Sequence, residues 1–124
     1  MTGDEGISAA HVELAHQMFD LARLGHVQRL LAYVDAGVPV DLTDTSGNTL
    51  LMLAAYHGHA EVVDGLAGRG ADVNRLNDRG QSPLAGAVFK GEDAVVATLL
   101  THGADPDAGS PTARETAQMF GRTL

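Results

Sequence analysis

Six histidines give this chain its clearest potential for chemistry, because imidazole can bind a metal ion or transfer protons near neutral pH. His57 and His59 are two residues apart, and on a helix their side chains would point apart. Gly58 also interrupts any helix between them. No set of three ligands with the spacing of a zinc site is present, and the chain has no cysteine to supply thiolates. We therefore expect no metal site and no cofactor.

The other reactive side chains do not form a catalytic pattern either. Nothing in the sequence resembles a nucleophile elbow or a glycine-rich phosphate loop. The segment Asp105-Pro106-Asp107 is typical of a turn and offers too few oxygen ligands for calcium. We predict that the chain is not an enzyme and has no catalytic residues.

Charge and hydropathy exclude further classes of partner. The net charge of −8 would repel nucleic acid and anionic membrane surfaces. No apolar run approaches the ~20 residues that span a bilayer, and the first residues lack the basic and apolar regions of a secretion signal. We expect a cytoplasmic protein that binds neither nucleic acid nor membranes.

Glycines spaced 33 residues apart show how the chain is organised. Two series share this spacing: Gly25, Gly58, Gly91 and Gly37, Gly70, Gly103. Such a period is typical of repeat architectures, in which stacked units bury a common core and present a surface for binding.

Each copy contains the signals of two short helices. The first helix is predicted to start after Thr49 or Ser82, which are good N-caps, and to end at a left-handed glycine, Gly58 or Gly91. The second helix has apolar residues at three- and four-residue spacing, as in Val62, Val63 and Leu66. Helices of about nine residues are not stable alone, so their apolar faces must pack on neighbouring copies.

The terminal copies are expected to be irregular. Residues 11–24 read as one longer helix, and Ser8 could cap a helix that begins near Ala9 or Ala10. Residues 112–120 read as the first helix of a fourth copy, with a capping box between Thr112 and Glu115 and a shortened finger before it. No second helix follows before Leu124. Met119 and Phe120 should then either pack on Phe89 and Val96 or stay exposed.

Four motifs in the middle copy carry a family resemblance: Gly47-x-Thr49-x-Leu51, Ala54-Ala55-x-x-Gly58-His59, Val62-Val63-x-x-Leu66 and Gly70-Ala71-Asp72-Val73-Asn74. The chain resembles the ankyrin-repeat family over roughly residues 14–121, as a small protein of bacterial type. The resemblance implies an all-α solenoid of antiparallel helix pairs with short β-hairpin or turn fingers.

The resemblance divides the chain into five parts: a flexible lead-in (1–8), an N-terminal capping repeat (9–43), two full repeats (44–76 and 77–109) and a truncated C-terminal capping half-repeat (110–124). It also implies that His26 and His59 are structural and bond to backbone in a turn. The family's Thr-Pro-Leu-His becomes Thr49-Leu50-Leu51-Met52 and Ser82-Pro83-Leu84-Ala85 here, so we expect weaker pinning of the fingers.

The family resemblance implies that an unidentified protein partner binds in a concave groove and at the finger tips. The chain would act as an adaptor, or as an inhibitor or regulator of an enzyme, and would be a monomer. The alternative is a self-assembling structural protein that dimerises end to end through its C-terminal half-repeat. The predicted protein-binding residues are Arg23, Leu24, Thr45, Ser46, Asn48, Met52, Tyr56, His57, Asp78, Arg79, Gln81, Phe89 and Lys90.

Charged residues are distributed unevenly over this arrangement. Half of the eight basic residues fall on the groove or fingers: Arg23, Arg75, Arg79 and Lys90. Acidic residues such as Glu61 and Asp64 fall on the second helices. A partner that presents carboxylates beside an apolar anchor would suit such a groove.

Overall fold

The structure, a computed structural model, describes residues 9–124. This part of the chain contains seven α-helices and no β-strand. The helices are α1 (Ala9–Leu24), α2 (Val27–Asp35), α3 (Leu50–Tyr56), α4 (Ala60–Ala67), α5 (Pro83–Lys90), α6 (Asp93–Thr101) and α7 (Ala113–Met119). The predicted lead-in and the Ser8 cap lie outside the described residues.

The helices stack in two rows. The first helices of successive copies, α1, α3, α5 and α7, pack side by side, and the second helices α2, α4 and α6 form the other row. The predicted solenoid of helix pairs is confirmed, as are the long first helix and the helix that follows Thr112. Within the described chain, α7 has no second helix beside it.

Side-chain caps fix where the first helices begin. The hydroxyl of Thr49 accepts a hydrogen bond from the backbone N–H of Met52, and that of Ser82 accepts one from Ala85, both at 3.0 Å. Thr112 forms the predicted capping box: its hydroxyl accepts from the N–H of Glu115 at 3.0 Å, whose carboxylate accepts from the N–H of Thr112 at 2.8 Å. These bonds satisfy helix N–H groups that have no partner within the helix.

A continuous apolar core runs through the stack between the two rows. Its fully buried members include Met18, Leu51, Leu66, Leu84 and Leu99, one or two from each of the first three copies. Few aromatic rings are present, so the helices can approach closely and bury Leu, Val and Ala against one another. The core aligns the first helices, and their other side forms the concave face.

The fingers, residues 42–49 and 75–82, are turns rather than paired strands. An isolated antiparallel bridge between Thr43 and Thr49 is the strand-like pairing found among the described residues. In each finger one side chain organises the turn: Asp44 accepts hydrogen bonds from two backbone N–H groups, and Asn77 does so 33 residues later. The sequence therefore builds the same turn twice with Asp or Asn.

Neighbouring fingers are joined by two hydrogen bonds, although the family's histidine is missing. The N–H of Asp78 donates to the carbonyl of Ser46 at 3.0 Å. The amide of Asn77 donates to Oδ1 of Asn48 at 2.9 Å. These bonds hold the polar edge of the concave face in register with the helices.

Candidate binding groove

One groove of ≈ 520 Å³ lies between the first helices and the fingers. Its lining comes from two full copies and from the C-terminal half-repeat. The residues that line it, called the groove below, are Ser46, Asn48, Met52, Leu53, Tyr56, Asn77, Arg79, Gln81, Ser82, Pro83, Ala85, Gly86, Phe89, Pro111, Thr116 and Met119.

Three large apolar side chains form a row along the groove. Tyr56 is 42% exposed, Phe89 57% and Met119 71%. Each occupies the position seven residues after the N-cap of its helix, so the repeat brings one residue from α3, one from α5 and one from α7 into line. Isolated exposed apolar residues are ordinary, but a contiguous row in a concavity is typical of an interaction surface.

The ring of Tyr56 is held by two neighbours. The Nζ of Lys90 lies 4.7 Å from the ring centroid, which is the geometry of a cation–π interaction. The ring of His57 meets it edge-on, with the centroids 5.6 Å apart. These two contacts restrict the positions open to the Tyr56 ring before any partner binds.

Phe89 is braced from the C-terminal side. Its ring packs edge-to-face on Phe120, with the centroids 5.7 Å apart and the planes at 72°. Both alternatives considered for the C-terminal helix thus occur in part: Phe120 packs on Phe89, whereas Met119 stays exposed.

Two basic side chains lie at or beside the apolar row: Arg79 on the groove lining and Lys90 over Tyr56. Among the described residues that line the groove, Arg79 is the single charged one. The pKa of His57 is lowered, first by burial and then by the charges of His59, Lys90 and Arg23, although Glu92 opposes them. His57, beside Tyr56, thus lies in surroundings that disfavour its positive charge.

The comparisons with known proteins agree with this geometry. The family described as ankyrin repeats, in three copies, matches residues 18–110, which is most of the chain. The chain belongs to the ankyrin-repeat family. Ankyrin repeats are protein–protein interaction modules and are typically non-catalytic.

Relatives of this ankyrin chain occur in bacteria and in animals. An ankyrin repeat protein of Pseudomonas aeruginosa is 53% identical over 51 residues, 41% of this chain and 30% of the relative. The inactive serine/threonine-protein kinase TEX14 of Mus musculus is 35% identical over 92 residues, 74% of this chain and 6% of the relative. The chain therefore spans less than a third of the length of these two relatives.

A solved structure shows the same fold. The crystal structure of the human ASB11 ankyrin repeat domain superposes with a TM-score of 0.68 at 30% identity, covering 72% of this chain and 40% of that one.

Seven of the thirteen residues predicted to bind a partner meet in the ankyrin groove: Ser46, Asn48, Met52, Tyr56, Arg79, Gln81 and Phe89. Met52 is almost fully buried and forms part of the floor, and the others have exposed or half-buried side chains. Their convergence follows from the repeat, because equivalent positions in stacked copies lie side by side.

The other six predicted residues lie outside the groove lining. Lys90 and His57 contact Tyr56 rather than the groove itself. Arg23 forms an ion pair with Asp20 at 2.9 Å, and Leu24 is exposed beside it at the end of α1. Thr45 and Asp78 are exposed on the fingers.

Met119 is the main groove residue that the sequence reasoning did not include. The rule that selected Tyr56 and Phe89, two residues before a glycine that ends a first helix, also selects Met119 before Gly121. Pro111 and Thr116, which belong to the same half-repeat, also line the groove and are also absent from the predicted set. The register itself is visible in the sequence, because Thr112 precedes Gly121 by nine residues as Thr49 precedes Gly58. The predicted set of binding residues ended at Lys90 and so did not extend to this half-repeat.

The histidines of this ankyrin chain do not come together as one set of ligands. His59 lies against Arg23 of the preceding copy, with its Nε2 2.7 Å from the backbone carbonyl oxygen. Within residues 9–124 no three His, Cys, Asp or Glu side chains come together as a metal site. Among the described helices, none combines the length and apolarity required to cross a membrane.

Proposed function

We propose that this ankyrin chain binds one partner protein through the groove and the adjoining finger tips, as an adaptor or as an inhibitor or regulator of an enzyme. The observation that carries the proposal is the row of Tyr56, Phe89 and Met119, three exposed apolar side chains aligned in one concavity. Aromatic side chains beside arginine are the residue types that dominate binding energy at protein interfaces.

The groove also has the layout of an interface before binding. An apolar centre of Phe89 and Tyr56 is bordered by polar finger residues such as Ser46, Asn48 and Gln81. Protein interfaces combine an apolar centre with a polar rim in this way. Since a stable interface needs ~800 Å² on each partner, binding would involve the fingers as well as the groove.

Site-specific cross-linking in the source cell tests the proposal. A photoreactive amino acid replaces Phe89 in one variant and Leu100 in the control, because Leu100 is an exposed apolar residue on the second-helix row. We expect one protein to be cross-linked from position 89 and not from position 100. Cross-linking from position 100 alone, or equally from both, would contradict the proposal.

The captured partner allows a quantitative test. The double variant Tyr56→Ala/Phe89→Ala should weaken binding by ~2 kcal/mol or more, whereas Leu100→Ala should leave the affinity unchanged. Circular dichroism verifies that each variant is folded. If the partner is an enzyme, its rate with and without the ankyrin chain separates an inhibitor from an adaptor.

The alternative is end-to-end dimerisation through Met119 and Phe120, and the high exposure of Met119 is the observation that favours it. We expect a monomer, because Phe120 already packs on Phe89 and the net charge of −8 disfavours self-association. Light scattering at micromolar concentration decides between them. A dimer that Met119→Ser dissociates would support the alternative.

A further inference from the structure

Two cations at the groove have no carboxylate partner within residues 9–124. They are Arg79, on the groove lining, and Lys90, over the ring of Tyr56. Half of the basic residues are neutralised instead by ion pairs elsewhere: Arg23, Arg69, Arg114 and Arg122. The groove thus retains positive charge on a chain whose net charge is −8.

Two acidic side chains close in sequence to these cations lie against glycines of the preceding copy and form no ion pair within residues 9–124. The carboxylate of Asp78 lies against Gly47 of the preceding finger, and that of Glu92 lies over Gly58. Glu115, beside Met119, accepts the capping hydrogen bond of α7. The basic side chains at the groove are thus Arg79 and Lys90, and the α7 end carries the carboxylate of Glu115.

The spacing of the apolar row sets the spacing of the side chains that it can bind. Tyr56, Phe89 and Met119 come from successive packed helices, whose axes are separated by about 8–10 Å. A peptide in the extended polyproline II conformation advances ~3.1 Å per residue and makes one turn in three residues. Every third side chain therefore points the same way, ~9.3 Å further along, and would meet the next apolar position.

The finger edge of the groove favours an extended ligand over a helical one. Ser46, Asn48 and Gln81 place hydroxyl and amide groups along this edge. An extended backbone has free N–H and C=O groups that such side chains can bind, whereas a helix uses most of its own internally.

We propose that the groove binds an acidic peptide segment of the partner in the extended polyproline II conformation. Its apolar side chains, at every third residue, would lie along Tyr56, Phe89 and Met119, and its carboxylates would meet Arg79 and Lys90. This inference rests on the proposed function and adds the chemistry of the partner. The carboxylates should lie toward the end of the peptide near Tyr56, away from Glu115.

A display selection of random twelve-residue peptides against the full chain tests the inference. We expect the enriched peptides to combine Asp or Glu with apolar residues at a spacing of three. Enrichment of basic or neutral peptides, or apolar spacing of three and four residues typical of a helix, would overturn it. So would a selection that yields no peptide that depends on the groove.

Charge reversal provides the matched control. For a selected peptide, Arg79→Glu should weaken binding at least about tenfold, equal to ~1.4 kcal/mol, and Arg79→Lys should restore most of it. Arg29→Glu makes the same charge change on an exposed arginine of α2 and should have little effect. Equal loss from both reversals would show a general charge effect and contradict the assignment.

The cross-linking experiment keeps the two proposals separate. If position 89 captures a partner but the selected peptides ignore Arg79, the acidic-peptide inference fails and the groove function stands. If the partner contacts position 100 instead, the groove function fails.

Discussion

The imidazole of His59 is hydrogen-bonded to the backbone of Arg23, 36 residues earlier in the sequence, with 2.7 Å between Nε2 and the carbonyl oxygen. Since a carbonyl can only accept, Nε2 carries the proton. The bond links the second copy to the end of α1.

Replacing His59 by Ala should lower the free energy of unfolding by about 1 kcal/mol, because a part-buried hydrogen bond between copies is lost. Urea titration measures this as a lower midpoint with an unchanged slope. The control is His26→Ala, at the same position in the preceding copy, where the exposed imidazole has no hydrogen bond to residues 9–124. Equal losses from both variants would contradict this prediction.

Gly25 and His59 should be energetically coupled. Gly25 has φ +77°, and a Cβ there would lie 2.5 Å from Nδ1 of His59, so Gly25→Ala must displace the ring and break its bond to Arg23. Gly103→Ala pays only the left-handed backbone penalty of ~1–2 kcal/mol, because φ is +85° and no atom lies within 4 Å of its Cβ. We expect Gly25→Ala to lower the free energy of unfolding by more than Gly103→Ala does.

A double-mutant cycle checks the origin of that difference. In a His59→Ala background, the cost of Gly25→Ala should fall toward that of Gly103→Ala, since the obstructing ring is gone. Additive losses would show that the ring does not determine the cost.

Two helical glycines should respond oppositely to alanine. Gly86→Ala should stabilise the protein by ~0.5–1 kcal/mol, because its Cβ would make only an ordinary 3.7 Å contact with Tyr56. Gly65→Ala should give no such gain, because its Cβ would collide with the side chain of Leu31. Thermal unfolding of both variants measures the difference. A gain at Gly65 equal to that at Gly86 would refute the packing explanation.

The ion pair of Asp35 and Arg69 predicts that the stability of the folded chain decreases at acid pH. Arg69 donates hydrogen bonds to both carboxylate oxygens, at 2.7 and 3.0 Å, and these bonds and its charge hold the pKa of Asp35 below its ordinary value. The unfolded chain then binds this proton more readily than the folded one. The stabilisation is present above about pH 4 and is lost as the pH falls through the lowered pKa.

Melting temperatures from pH 7 to pH 2 test this prediction. The difference between the natural chain and Asp35→Asn should be largest at neutral pH and should shrink toward zero at acid pH. Glu13→Gln is the control, because Glu13 is exposed on α1 and forms no ion pair with residues 9–124. A difference for Asp35→Asn that does not change with pH would contradict the prediction.

The fold could be predicted from the sequence because its signals are local and repeated. Thr49, Ser82 and Thr112 mark three helix starts by side-chain chemistry alone, and Gly58 and Gly91 end two of those helices with left-handed backbone, at φ +82° and +73°. Each of these features depends on a few neighbouring residues, which the sequence shows directly.

The candidate groove could be predicted only in part, because its lining depends on contacts between copies. Tyr56 and Phe89 follow from the repeat register. The position of Lys90 over Tyr56 and the packing of Phe120 on Phe89 depend on how adjacent copies are aligned. The cross-copy bond from Asn77 to Asn48, which joins two fingers that lack the family's histidine, is also a product of stacking.

Within residues 9–124, each helix pair packs mainly on the pairs before and after it, so this part of the chain is an open array in which α1 and α7 do not pack together. A destabilising substitution in a terminal copy should unfold only that end of the array. A cavity at Leu51 or Leu84, by contrast, would separate the array into two segments, each too short to stay folded. Amide exchange should accordingly be slowest in α3 and α5 and fastest toward α1 and α7.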